Sequence, residues 1–212
     1  MVEGVREVVV ESGGVALPGL LGAAEAGRGL VVFAHGSGSS RLSGRNAAVA
    51  EVLREAGFAT LLFDLLTDAE SADRRNVFDI DLLAERLAAA TAWARRQSWM
   101  EEMSVGYFGA STGGAAALVA GARDEHISAI VSRGGRPDLA GGALDRVRAP
   151  TLLIVGGLDF GVIELNQSAF ERLRCKKRLE VVEGATHLFE EPGRLEIVAT
   201  LARDWFLDWM PT

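Results

Sequence analysis

Short apolar runs alternate with longer amphipathic stretches along most of this chain, and that alternation restricts the fold more than any other feature. Leu30-Val31-Val32-Phe33-Ala34 is one such run. Ala59 to Asp64, Ser104 to Ala110, Ile127 to Ser132, Thr151 to Val155 and Arg178 to Val182 are others. Continuous apolar runs of this length suit strands covered on both faces. Between them the spacing predicts helices over Gly44 to Ala56, Phe78 to Gln97, Thr112 to Ala122 and Glu164 to Arg174, with a short one over Leu139 to Val147. Gly57 ends the first of these as a C-terminal glycine does. Phe78, Leu82, Leu87, Ala90 and Ala94 make the apolar stripe of the second. Ile197, Val198, Leu201, Ala202, Trp205, Phe206 and Trp209 make a broad stripe on a last helix. Ahead of the alternation, Val5 to Glu11 and Val15 to Leu21 read as a strand pair turning at Ser12-Gly13-Gly14. The predicted fold is α/β, with a mostly parallel central sheet, helices on both faces and an N-terminal antiparallel strand pair. Residues 1–212 suffice for one domain. No long insertion separates Ser132 from Thr151, so no cap domain is expected.

Charge and cysteine content narrow the function classes. The formal net charge is -7, which opposes a nucleic-acid partner. The cluster Arg172, Arg174, Lys176, Lys177 and Arg178 reads as a solvated helix end. Cys175 is the only cysteine, so no intrachain disulfide can form. The first residues do not read as a secretory signal, and no apolar stretch approaches a membrane span. A cytoplasmic protein with no membrane partner is the expectation, as monomer or homodimer.

In a parallel sheet of this kind the ligand site lies outside the carboxyl ends of the strands. Functional residues should therefore stand just after the apolar runs. Gly109-Ala110-Ser111-Thr112-Gly113 is a Gly-x-Ser-x-Gly motif in that position. In a chain with 25 glycines the pattern alone is weak. Its place between a strand and a helix is what points to a nucleophile. The serine must sit on a sharp turn, so its neighbours must be nearly free of bulk, and the Thr112 N–H then faces the developing oxyanion.

A serine hydroxyl needs a base, and the chain has three histidines. His126 precedes a strand and falls at the wrong edge. His35 follows a strand but opens the segment His35-Gly36-Ser37-Gly38-Ser39-Ser40, which suits an oxyanion loop. His187, in Glu183-Gly184-Ala185-Thr186-His187, follows the last strand and is the expected base. The acid should lie between serine and histidine. Asp159 in Gly156-Gly157-Leu158-Asp159 fits best, with Asp138 as runner-up. Asp64 ends a strand but precedes Ser111, which leaves it a turn-forming or substrate-side role. Ser37 is the expected second oxyanion donor, with Gly38 or Ser39 as alternatives. Pocket-lining positions are sought at His35, Gly36, Phe160 and Leu188, and also at Met103, Val162, Ile163 and Phe189, each of which core packing explains equally well.

Together His35-Gly36-Ser37-Gly38-Ser39, Gly109-Ala110-Ser111-Thr112-Gly113, Gly157-Leu158-Asp159 and Gly184-Ala185-Thr186-His187 resemble the α/β-hydrolase superfamily, and within it the small, uncapped, dienelactone-hydrolase-like branch. The likeness covers nearly the whole chain. It implies no cofactor and action on esters or lactones. The namesake enzymes use a cysteine nucleophile where this chain has Ser111, so a carboxylesterase acting on a small-molecule ester with a short or accessible acyl group is expected. A thioesterase, amidase or acyltransferase would use the same machinery, and a binding protein on a hydrolase scaffold is the non-catalytic rival. No phosphate-loop lysine follows Ser37, and the scattered histidines lack metal-ligand spacing, so no metal site is expected.

Overall fold

In the computed structural model, residues 4–23, 27–100 and 103–210 are described. Eight strands form one sheet. They are β1 (Val5–Ser12), β2 (Val15–Gly22), β3 (Gly29–Ala34), β4 (Ala59–Phe63), β5 (Ser104–Ala110), β6 (Ile127–Arg133), β7 (Thr151–Gly156) and β8 (Lys177–Val182). Their spatial order is β1-β2-β4-β3-β5-β6-β7-β8. The hairpin partners β1 and β2 are antiparallel, β2 meets β4 antiparallel, and all other pairs are parallel.

The apolar runs become strands because both faces are covered. Every residue of β3, β4 and β7 is buried. Alternation divides them between two cores. Leu30, Val32 and Ala34 face one core, and Val31 and Phe33 the other. The first core is closed by α4 (Ile80–Arg95) and α5 (Thr112–Arg123), the second by α1 (Gly44–Glu55) and α7 (Arg194–Trp209). Full burial of one such aliphatic or aromatic side chain stabilises by about 1.5–3 kcal/mol.

Three differences from the sequence reading have local causes. The helix expected from Phe78 starts at Ile80, because the Asp79 carboxylate caps it by accepting from the Leu82 N–H at 3.0 Å. Phe78 stays outside the stripe, 44% exposed, with the Arg74 guanidinium 5.5 Å from its ring. Upstream, α2 (Asp68–Ser71) and α3 (Arg74–Val77) occupy a segment with no apolar period to betray them. The expected helix over Leu139 to Val147 is a 3₁₀ segment, Pro137–Arg146, interrupted where Gly141 takes φ 51° and ψ −127°. The sixth helix in order, α6, spans Val162–Arg172. The basic cluster at its end is largely spent locally. Arg172 pairs with Asp145, Arg178 with Glu180, and Lys177 donates to the Phe170 and Leu173 carbonyls.

Topology places the site. From β3 the chain moves outward to β4, then crosses back to lay β5 on the other side of β3. The loops after β3 and β5 therefore diverge at one switch point, where α/β sheets open a crevice. Among the described residues no helix is long and apolar enough to cross a membrane.

Candidate active site

Ser111 stands on the turn from β5 to α5 with φ 52° and ψ −120°. Such a backbone costs a non-glycine residue about 1–3 kcal/mol, so the surroundings must impose it. The Ser111 N–H donates to the Arg133 carbonyl (3.2 Å), and its own carbonyl accepts from Gly114 (3.0 Å) and Arg136 (3.1 Å). The motif glycines are sterically required. A Cβ on Gly109 would overlap the Gly113 carbonyl and lie 2.6 Å from Gly114 Cα. One on Gly113 would overlap the Ala34 carbonyl at the end of β3.

The loops after β7 and β8 are tied to each other. After β7, the Gly157 N–H donates to the Val182 carbonyl (2.8 Å) and the Leu158 N–H to the Ala185 carbonyl (2.9 Å). Asp159 then reaches His187, with Oδ2 2.7 Å from Nδ1. His187 Nε2 lies 3.3 Å from Ser111 Oγ. Three side chains far apart in sequence thus form one continuous chain at the carboxyl edge. Thr186 anchors the histidine loop by donating its hydroxyl (2.6 Å) and N–H (3.1 Å) to Glu191. Phe189, fully buried with φ 57°, turns the chain back into the second core.

The loop after β3 faces this chain. His35 is a strut within it. Its Nε2 accepts from the Leu65 N–H (3.0 Å), which leaves the proton on Nδ1 to donate to the Gly36 carbonyl (2.9 Å). Burial pushes the His35 pKa below its ordinary value, opposed in part by the Gly36 hydrogen bond and by Asp64. Asp64 clamps the other end of the loop, accepting from the Arg41 N–H (2.6 Å) and guanidinium (2.5 Å). Thr112 opens α5, so its N–H has no acceptor within the helix. Ser37 sits across the crevice on the loop.

Two cavities flank Ser37. One, about 410 Å³, is lined by His35, Leu65, Leu66, Val77, Leu83 and Thr112 among others, with α2 and α3 helping to wall it. The other, about 150 Å³, contains Ser111, His187, Leu188, Arg45, Asn46 and Arg133. A larger hollow near Arg123, His126 and Cys175 lies at the amino edge of the strands, away from Ser111.

Of the residues expected at the site, Ser111, Asp159 and His187 come together, and His35, Gly36, Ser37, Thr112 and Leu188 border the cavities. Phe160 does not; it is 77% exposed and lines neither, because the turn after Asp159 points it outward. Met103 precedes β5 at the amino edge, packed against the first core. Asp138 is spent on Arg136, at 2.9 and 2.7 Å. Sequence reasoning missed Arg133 and the Arg41–Asp64 clamp. Arg133 was findable, since it is the residue that closes β6 at the carboxyl edge.

The fold is that of an α/β hydrolase, with no cap domain inserted among the described residues. Residues 20–210 match the model of the dienelactone hydrolase family, and the chain belongs to that family. It is similar to a crystal structure described as dienelactone hydrolase from Anabaena variabilis, with 53% identity, TM-score 0.94, and 98% of this chain and 100% of that one covered. A structure from Xanthomonas campestris, described as an α/β serine hydrolase without lid, shares the fold at 20% identity and TM-score 0.82, over 100% and 98% of the two chains. A Mycobacterium tuberculosis protein named as a putative phosphoribosyl transferase is 62% identical over 204 residues, which are 96% of this chain and 46% of the relative. The chain thus spans about half the length of the curated relatives it matches.

Proposed function

We propose that this chain is a serine hydrolase that cleaves carboxylic esters with short or accessible acyl groups through an acyl-enzyme on Ser111. The observation that carries the reading is the Asp159–His187–Ser111 chain, 2.7 and 3.3 Å between successive atoms. Serine–histidine contacts in substrate-free sites are often this long and tighten with substrate.

The Ser111 hydroxyl donates to His187 Nε2, which takes the proton as Oγ attacks the ester carbonyl. His187 Nδ1–H donates to Asp159, which fixes the ring and stabilises its charged form. The Thr112 and Ser37 N–H groups hold the oxyanion. His187 then passes the proton to the leaving alcohol, the acyl group stays on Oγ, and water repeats the sequence to free the acid. Residues of α2 and α3 wall the larger cavity, and the cavity that contains Ser111 is only about 150 Å³, which favours compact acyl groups.

The transferase name of the mycobacterial relatives calls for a site for a phosphorylated ribose donor. The Asp159–His187–Ser111 chain supports hydrolysis as the activity of this chain instead. A fluorophosphonate probe should label the wild type at Ser111 and fail on Ser111→Ala. A 4-nitrophenyl ester series should favour short chains. No labelling, or a preference for long-chain esters, defeats the reading. Parallel thioester and amide substrates separate an esterase from a thioesterase or amidase.

A further inference from the structure

The smaller cavity beside Ser111 holds a cation that the acyl-transfer steps do not use. Arg133 is 6% exposed, and its Nε has no hydrogen-bond partner. Its one side-chain contact to an acceptor is a long 3.4 Å approach of Nη2 to Asn46 Oδ1. Among the described residues no carboxylate pairs with it. The Phe189 ring lies 5.8 Å from the guanidinium carbon on another side. Buried charges are otherwise paired, so an unpaired one lining a cavity points to a missing partner.

The rest of the cavity has the same sign. Arg45 lines it with its own buried, unpartnered Nε, while its Nη1 is held by Glu190 at 2.7 Å. The N-terminus of the twelve-residue α1 faces it through Ser43 and Asn46, and the first turn of that helix has no acidic residue. Helix N-termini favour anions. Burial and the nearby Arg45 push the Arg133 pKa down to about 10, which leaves it charged at neutral pH. Among the described residues no carboxylate lines the cavity, and Glu190, which pairs with Arg45, is mostly exposed.

We propose that this cavity binds a compact oxyanion, a carboxylate or phosphate carried by the ester substrate, with Arg133 as the buried ligand and Arg45 and the α1 N-terminus beside it. The inference rests on the hydrolase reading, because the cavity contains Ser111 and His187. The remainder of such a substrate lies toward the larger cavity on the far side of Ser37, where Leu65, Leu66, Val77 and Leu83 supply apolar lining.

The test compares 4-nitrophenyl butyrate with mono-4-nitrophenyl succinate, which replaces the terminal methyl by a carboxylate. The wild type should prefer the succinate by kcat/KM. In Arg133→Met the succinate-to-butyrate ratio should fall about ten- to a hundredfold, the scale of a lost hydrogen bond to a charge. Arg45→Gln should lower it less. If Arg133→Met does not fold, the wild type still decides through slowing of fluorophosphonate labelling by succinate or inorganic phosphate. Protection by succinate alone identifies a carboxylate ligand, and protection by phosphate a phosphoryl one. Equal kcat/KM for the two esters with no protection by either anion overturns the proposal. Failure of the hydrolase reading looks different: no labelling and no cleavage of either ester. Calorimetry of succinate and phosphate with the wild type then decides the anion site directly, and no binding sinks it.

Discussion

Gly36 backs directly onto Ser111: a Cβ built on Gly36 would lie 2.9 Å from Ser111 Cβ and 3.1 Å from the Ala110 carbonyl oxygen. The loop after β3 and the turn that carries Ser111 therefore touch without intervening side chains. Gly36→Ala must push one of them away, which moves the Ser37 N–H relative to Oγ. Misplacing one oxyanion donor costs about a hundred- to a thousandfold in rate. We expect kcat for a short 4-nitrophenyl ester to fall by at least tenfold in Gly36→Ala, with a folded circular-dichroism spectrum. Wild-type kcat in that variant would show that the loop contact is irrelevant to chemistry.

Asp159 and Asp138 were rival acids, and only the first reaches the imidazole. Asp159→Asn should lower kcat about ten-thousandfold by favouring the wrong histidine tautomer. Asp138→Asn removes a partly exposed pair with Arg136 and should leave kcat within about twofold. Steady-state kinetics on both variants checks this, and comparable losses would reopen the assignment.

The Arg41–Asp64 clamp holds the loop that carries Ser37. Asp64→Ala leaves the Arg41 N–H and guanidinium without their acceptor in a half-buried place. A cost of about 1–3 kcal/mol follows, or roughly 2–12 °C in Tm for a chain of this size. Because the loop carries a proposed oxyanion donor, kcat should drop more than KM rises. Thermal melts and kinetics on one preparation separate the two effects; a lower Tm with unchanged kcat would make the clamp purely structural.

His35 couples the same loop to pH. Its pKa is lowered in the folded state because burial opposes the charged ring, which the Gly36 hydrogen bond and Asp64 offset only in part. Below the ordinary histidine value of about 6.5 the unfolded chain binds a proton that the folded one resists. Stability from this group is therefore complete above that pH and declines as pH falls from there toward the lowered folded value. His35→Gln should flatten that slope while lowering stability at pH 7.5. Urea melts at pH 5.5 and 7.5 measure it, and identical pH slopes in wild type and variant would count against His35 as the source.

Strand and helix alternation, the Gly-x-Ser-x-Gly turn and the histidine after β8 were legible because each is a local pattern with a local physical cause. Apolar runs bury on both faces, glycines mark where backbones meet, and carboxyl-edge residues follow strands. Phe160 was misplaced because its neighbours along the chain say nothing about which way a turn points it. The helices α2 and α3 were missed because caps, not periodicity, create them: Thr67 and Glu70 form a capping box on α2, and Asp73 caps α3.

By itself the order of residues determined the kind of sheet, the edge on which chemistry would gather and the three side chains to examine. Tertiary structure alone decided that Arg41 and Asp64 grip the loop of Ser37, and that among the described residues no carboxylate meets Arg133 beside Ser111. Those outcomes depend on distances between loops from separate strands, which the crossing order of the sheet sets and no local pattern encodes.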